Sequence, residues 1–138
     1  MFKKDDIMSL IDDFSLDCYD YKVIMGGSLV MRGIKESTND LDLNVDHDAF
    51  YKLADMLDKR SEICNVNGQK RFAFWTMGGE VEVYLGTFRT DHGMDVYDEF
   101  DGVRCQTLGD IIAMKRAFGR EKDFDDIIMI ERWVLRNS

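Results

Sequence analysis

The chain has 138 residues, 45% of them hydrophobic and 12% aromatic, which suits one domain over 1–138 with an ordinary core and excludes disorder as its default state. Eighteen Lys and Arg stand against 27 Asp and Glu, for a formal net charge of −9. That balance excludes tight non-specific binding of duplex DNA, which needs a basic footprint, and it suits a site that gathers divalent cations.

Proline is absent, so glycine and Asn/Asp clusters punctuate the chain. Ile7, Leu10, Ile11 and Phe14 recur at helical spacing and predict a helix over 4–17. Residues 21–25 (YKVIM) read as a short apolar strand running into Gly26-Gly27, with a short helix from Ser28 to about Gly33. Strict alternation in 40–45 (DLDLNV) predicts a strand, and 48–60 a helix with Asp46 or Asp48 near its cap. Extended segments follow at 62–66 and 70–76, then a turn at Gly78-Gly79 and a strand at 80–85 (EVEVYL). A further hairpin is expected over 95–106, around Asp101-Gly102. Thr107 with Asp110 three residues on resembles a capping box and opens a helix over 108–118 closed by Gly119. A last helix covers about 121–136. The expected fold class is α/β (α+β): a twisted mixed sheet flanked by helices, with a helical pair at the end.

Cys18, Cys64 and Cys105 are odd in number and far apart, which argues against a disulfide framework or a zinc site. The N-terminal MFKKDDIMSLIDD meets acidic residues at once, so no signal peptide is expected, and no window approaches the ~18 apolar residues of a membrane span. A cytoplasmic protein without membrane contact is the expectation. His47 and His92 have no partner at metal spacing. Phe72, Phe74 and Trp75 read as core residues of one strand, and the methionines as gap-fillers.

The chemistry lies in the middle of the chain. Asp40 and Asp42 are two apart in a predicted strand, so they share a face ~6.5–7 Å apart, while Leu41 and Leu43 turn to the core. Two carboxylates on one face repel unless a cation joins them, and magnesium takes such hard oxygen ligands. Upstream, Gly26-Gly27-Ser28 follows an apolar strand and precedes a helix. Backbone N–H groups there can approach a phosphate, aided by the helix N-terminus and the Ser28 hydroxyl. A phosphate cradle beside a cation-binding pair is what phosphoryl or nucleotidyl transfer requires. A third carboxylate is expected from a neighbouring strand: Glu82 in Val81-Glu82-Val83, with Glu80 on the same face as runner-up.

The sequence resembles the polymerase-beta-like nucleotidyltransferase superfamily. The resemblance rests on Met25-Gly26-Gly27-Ser28, then eleven residues, then Asp40-Leu41-Asp42-Leu43, with Val81-Glu82-Val83 later, and it spans roughly residues 20–130. It implies that Asp40 and Asp42 bind two magnesium (or manganese) ions, that Glu82 completes the metal set and acts as general base, and that Gly26, Gly27 and Ser28 hold phosphates of a nucleoside triphosphate. Ala113-Met114-Lys115, Gly119-Arg120-Glu121-Lys122-Asp123 and Asp125-Asp126-Ile127 resemble the helical segment of small AbiEii-type members. By that resemblance Lys115 and Arg120 contact the nucleotide and Asp123 orients one of them. The implied activity is transfer of a nucleoside monophosphate to an acceptor hydroxyl on a small molecule, a protein or a tRNA. A catalytically silent nucleotide-binding module is the alternative, and the toxin-like relatives add an antitoxin-type protein to the expected partners. Relatives often carry an arginine just before the acidic pair; here Lys35-Glu36-Ser37-Thr38-Asn39 fills that stretch, and Arg32 is the nearest arginine. Lys70, Arg71 and Arg89 are further basic residues that could flank the pocket.

Overall fold

The computed structural model describes residues 1–86 and 96–138. Helix α1 (Lys4–Asp13) is shorter than its periodicity suggests. At Ser15 the backbone turns left-handed (φ 52°), and a 3-10 turn at Leu16–Cys18 buries Leu16 before β1 (Tyr21–Ile24) begins. Helix α2 (Met25–Met31) follows without a loop, so Gly26-Gly27-Ser28 form its first turn and do not precede it. Strand β2 (Asp40–Val45) buries Leu41, Leu43 and Val45, as its alternation dictates. In α3 (His47–Met56) the Asp46 carboxylate caps the helix by accepting from the Ala49 N–H at 2.8 Å.

Strands β3 (Cys64–Val66) and β4 (Gln69–Thr76) join through Asn67-Gly68, both at positive φ (51° and 79°), which suits the right-handed twist of a two-residue hairpin. Strand β5 (Gly79–Leu85) returns from the next turn. Strands β6 (Asp98–Phe100) and β7 (Val103–Cys105) form the expected hairpin around Asp101-Gly102. Helix α4 (Leu108–Phe118) is capped by the Thr107 hydroxyl, which accepts from the Asp110 N–H, and ends on Gly119 at φ 65°, where a side chain would be strained. Helix α5 (Glu121–Arg136) closes the chain.

The strands form one sheet in the order β3-β4-β5-β2-β1-β7-β6. The β2/β5 and β1/β7 pairs are parallel and the others antiparallel, so the α/β expectation of a mixed sheet holds. One face packs the core: Val23, Leu41, Leu43, Phe72, Phe74, Val81 and Val83 meet residues of α1, α2 and α3, among them Ile7, Val30 and Phe50. A smaller cluster of Leu29, Ile111 and Ile130 seats α4 and α5 on α2. Trp75 corrects the sequence reading. It is out of phase with Phe72 and Phe74, lies on the other face opposite Glu80, and is 74% exposed.

Candidate active site

The parallel pairing of β2 with β5 sets Asp40 opposite Glu80 and Asp42 opposite Glu82, so four carboxylates stand on the face turned away from the core. Asp42 and Glu82 face each other across the β2/β5 pair, close enough for their charges to interact. Burial and the Glu82 carboxylate beside it push the Asp42 carboxyl up to about 8. Glu82 moves the other way. Burial alone would raise it, but hydrogen bonds from Tyr84 and Asp42 and the Arg71 guanidinium hold it below the usual carboxylate range. The Tyr84 hydroxyl donates to Glu82 Oε2 at 2.8 Å, and Arg71 donates to Oε1 at 3.1 Å. Asp40, at the start of β2, is exposed.

Among the described residues no three His, Cys, Asp or Glu side chains converge into a ready-made metal cage. The Asp42–Glu82 pair nonetheless has the chemistry of half a site. Its donors are hard oxygens, its two like charges face each other, and among the described residues Asp42 Oδ1 is buried with no hydrogen-bond partner. A divalent ion would reconcile those charges and satisfy that oxygen, so the residues fit.

The strand-to-helix junction lies beside this pair, with Ile24 opposite Asp42 on β1. Met25 takes the left-handed conformation at φ 55°, uncommon for a side chain of its size, and its N–H is held by Oε1 of the buried Gln106 at 3.0 Å. A Cβ on Gly27 would come within 2.6 Å of Leu41 Cδ1 and 2.8 Å of Val23 Cγ1, and one on Gly26 within 2.8 Å of Thr38 Oγ1. These glycines therefore let α2 sit down on the sheet. Ser28 departs from its expected role: it is fully buried, and its hydroxyl donates to the Met25 carbonyl at 2.5 Å instead of facing a ligand.

A cleft of about 450 Å³ opens over the pair. Asp42, Glu82, Asn44 and Tyr84 form its sheet side, and Met114, Phe118 and Arg120 face them from the corner between α4 and α5. Arg120 thus stands where a nucleotide contact was expected. Its guanidinium is fixed by Asp123, donating from Nε at 2.6 Å and from Nη2 at 3.1 Å. Lys115 does not stand there. It is 4% exposed and donates to Asp126 Oδ2 at 2.8 Å, with Asp123 at 3.7 Å. Lys35 joins Asp126 from the segment between α2 and β2. Burial would raise the Asp126 carboxyl, but the two lysines hold it low. Lys115 therefore ties α4 to α5. Arg32 is likewise committed elsewhere, to Asp98 and to the Ser28 and Gln106 carbonyls.

Sequence reasoning left Tyr84, Gln106 and Asn44 unnamed. Tyr84 could have been found as the next residue on the face of Glu82; nothing local marks Gln106, whose role depends on a contact across 81 positions. Arg71 was named without a place, and register puts it opposite Tyr84. Lys70 reaches the Tyr51 hydroxyl, and exposed His47 meets Asp48. Arg89 and His92 lie outside the described residues. Cys18, Cys64 and Cys105 are free. No described helix is long and apolar enough to cross a membrane.

Known proteins add one finding. The crystal structure of a "putative nucleotidyltransferase" from Thermotoga maritima matches with a TM-score of 0.53 at 12% sequence identity, over 99% of this chain and 96% of that one. At that identity the likeness is one of fold, and the chain has a nucleotidyltransferase-type fold. No family model matches the sequence, and no curated protein matches it.

Proposed function

We propose that this chain is a divalent-metal-dependent nucleotidyltransferase, which moves a nucleoside monophosphate from a triphosphate to an acceptor hydroxyl. The observation that carries the proposal is the Asp42–Glu82 pair: two facing carboxylates, with a buried Asp42 oxygen left without a partner among the described residues, beside a cleft of about 450 Å³. Asp42 and Glu82, with Asp40 at the strand end, would hold magnesium or manganese. When bound, the metal supplies charge neutralisation for the phosphates and the leaving pyrophosphate.

The remaining work falls to the chain's own groups. Arg120 is a permanent cation at the cleft, preset by Asp123, and can pair with a phosphate oxygen. Phe118 and Met114 offer apolar surface to a base. Beyond Met25, whose N–H is held by Gln106, the Gly26 and Gly27 N–H groups in the first turn of α2 would offer donors that the helix itself does not use. Glu82, already low in proton affinity, gains basicity once Arg71 or Tyr84 releases it, and can then accept the acceptor's proton. The Arg120-x-Lys122-Asp123 segment supports the narrower kinship with small AbiEii-type, toxin-like members, where a tRNA or protein acceptor and an antitoxin-type partner belong.

A second reading, a nucleotide-binding module without turnover, is favoured by one observation: Arg71 and Tyr84 already occupy both oxygens of Glu82. The test incubates the chain with each nucleoside triphosphate labelled at its α-phosphate, with magnesium or manganese, and with cell extract. Transfer of label to RNA, protein or a small molecule supports the enzyme and identifies the acceptor. Metal-dependent nucleotide binding with no transfer supports the module.

A further inference from the structure

Helix α5 has two faces, and the fold uses only one. Ile127 and Ile130 are buried, Ile130 against Ile111 of α4 and Leu29 of α2, while Phe124, Ile128 and Leu135 stand 50%, 47% and 76% exposed. Positions 124, 128 and 135 repeat at the spacing of a single helical strip. Beside that strip runs a charged flank: Glu121, Asp125, Arg132 and Arg136, separated by four, seven and four residues and all exposed. The acids fall in the N-terminal half of the helix and the bases in the C-terminal half. Lys122 lies on the opposite side of the helix and Glu131 on the strip itself, so neither belongs to this flank.

This order is self-complementary in one direction only. When two copies of a helix pair antiparallel about a two-fold axis, a given flank meets the same flank of the other copy with its direction reversed. Glu121 and Asp125 would then meet Arg132 and Arg136, on both sides of the axis, and Phe124 would lie across from Leu135. Parallel pairing would instead set this flank against the opposite flank of the partner helix, the side on which Ile127 and Ile130 are already buried in the fold. We infer that α5 is the interface of an isologous, antiparallel homodimer, with Phe124, Ile128 and Leu135 as its apolar strip and the Glu121/Asp125–Arg132/Arg136 pairs fixing its direction. The inference is independent of the activity proposed for the cleft.

The test is the mass of the full chain by sedimentation velocity over a wide concentration series. The parent, 16.1 kDa as a single chain, should shift to twice that mass with rising concentration. Reversing the acids (Glu121→Arg with Asp125→Arg) should weaken the dimer by about tenfold or more, because like charges then face each other. Adding Arg132→Glu and Arg136→Glu to that variant should restore it. Ile128→Asp should weaken the dimer without restoration, and circular dichroism of each variant checks that the monomer stays folded. A parent that remains at the single-chain mass overturns the inference, as does a dimer indifferent to both the acid reversal and Ile128→Asp. Loss on reversal without recovery in the fourfold variant overturns the antiparallel pairing.

Discussion

At the scale of single residues, Asp42 is the position with the clearest consequences. Its carboxyl is raised above its ordinary value of 3.8 to about 8 by burial and by Glu82. A raised group stabilises the fold fully below its unfolded value, and that contribution is lost as pH climbs through the folded value. Stability should therefore fall between about pH 4 and 8, by up to ~1.4 kcal/mol per pH unit from this proton alone. Asp42→Asn keeps the shape and removes the proton. Relative to the parent, the variant should gain stability steadily as urea denaturation is repeated up that pH range, and parallel curves would contradict the assignment. Glu82 acts in the opposite sense, since its lowered value costs stability only as pH falls below its ordinary range. Trp75 gives a second residue-scale expectation. Trp75→Ala should change stability by no more than about 0.5 kcal/mol, whereas Phe72→Ala, one strip over and buried, should cost about 3–5 kcal/mol. The phase of Trp75 was legible once Phe72 and Phe74 were assigned to the core, because strand neighbours alternate; reading all three aromatics together as core ignored that alternation. The upward shift of Asp42 was not legible, since it depends on which strand lies beside β2.

Among elements, the link from β1 into α2 decides how the cleft is shaped. Gly27 was read for its backbone freedom near a phosphate, yet its neighbours show a packing requirement, with Leu41 and Val23 where a methyl group would go. Gly27→Ala should cost about 1–3 kcal/mol by lifting α2 off the sheet, measurable as a lower midpoint in thermal or chemical denaturation. An unchanged midpoint would mean that the helix seats elsewhere. The pairing of α4 with α5 has a different fastener. Lys115 is buried between Asp126 and Asp123, and removing one partner of such a pair costs about 3–5 kcal/mol. Lys115→Met should lower stability far more than it lowers nucleotide affinity, whereas Arg120→Ala should do the reverse; titration calorimetry alongside denaturation separates the two. Element types and most boundaries could be read from alternation, caps and glycines, including the Asp46 and Thr107 caps and the Gly119 stop. The strand-to-helix junction was misplaced by about three residues, because Met25 adopts a left-handed conformation that no local signal announces.

Across the whole molecule, the carboxylates come together only through strand order. Asp42 and Glu82 are 40 positions apart, and the parallel β2/β5 pairing that joins them is closed by α3 and the β3-β4 hairpin. Spacing within the sequence could propose the trio of acids but could not say that Glu82 stands opposite Asp42 while Glu80 stands opposite Asp40. Nor could it place the basic residues: of Lys115, Arg120, Arg71 and Arg32, only Arg120 and Arg71 reach the cleft or its acids. The Asp42–Glu82 pair is the proposed metal–nucleotide site. Manganese binding followed by electron paramagnetic resonance, with and without a nucleoside triphosphate, tests it most directly. The parent should take manganese out of the free-ion signal, more tightly when the triphosphate is present, and Asp42→Asn and Glu82→Gln should each lose that binding by at least about tenfold while remaining folded. Equal manganese binding by the parent and both variants would contradict the account.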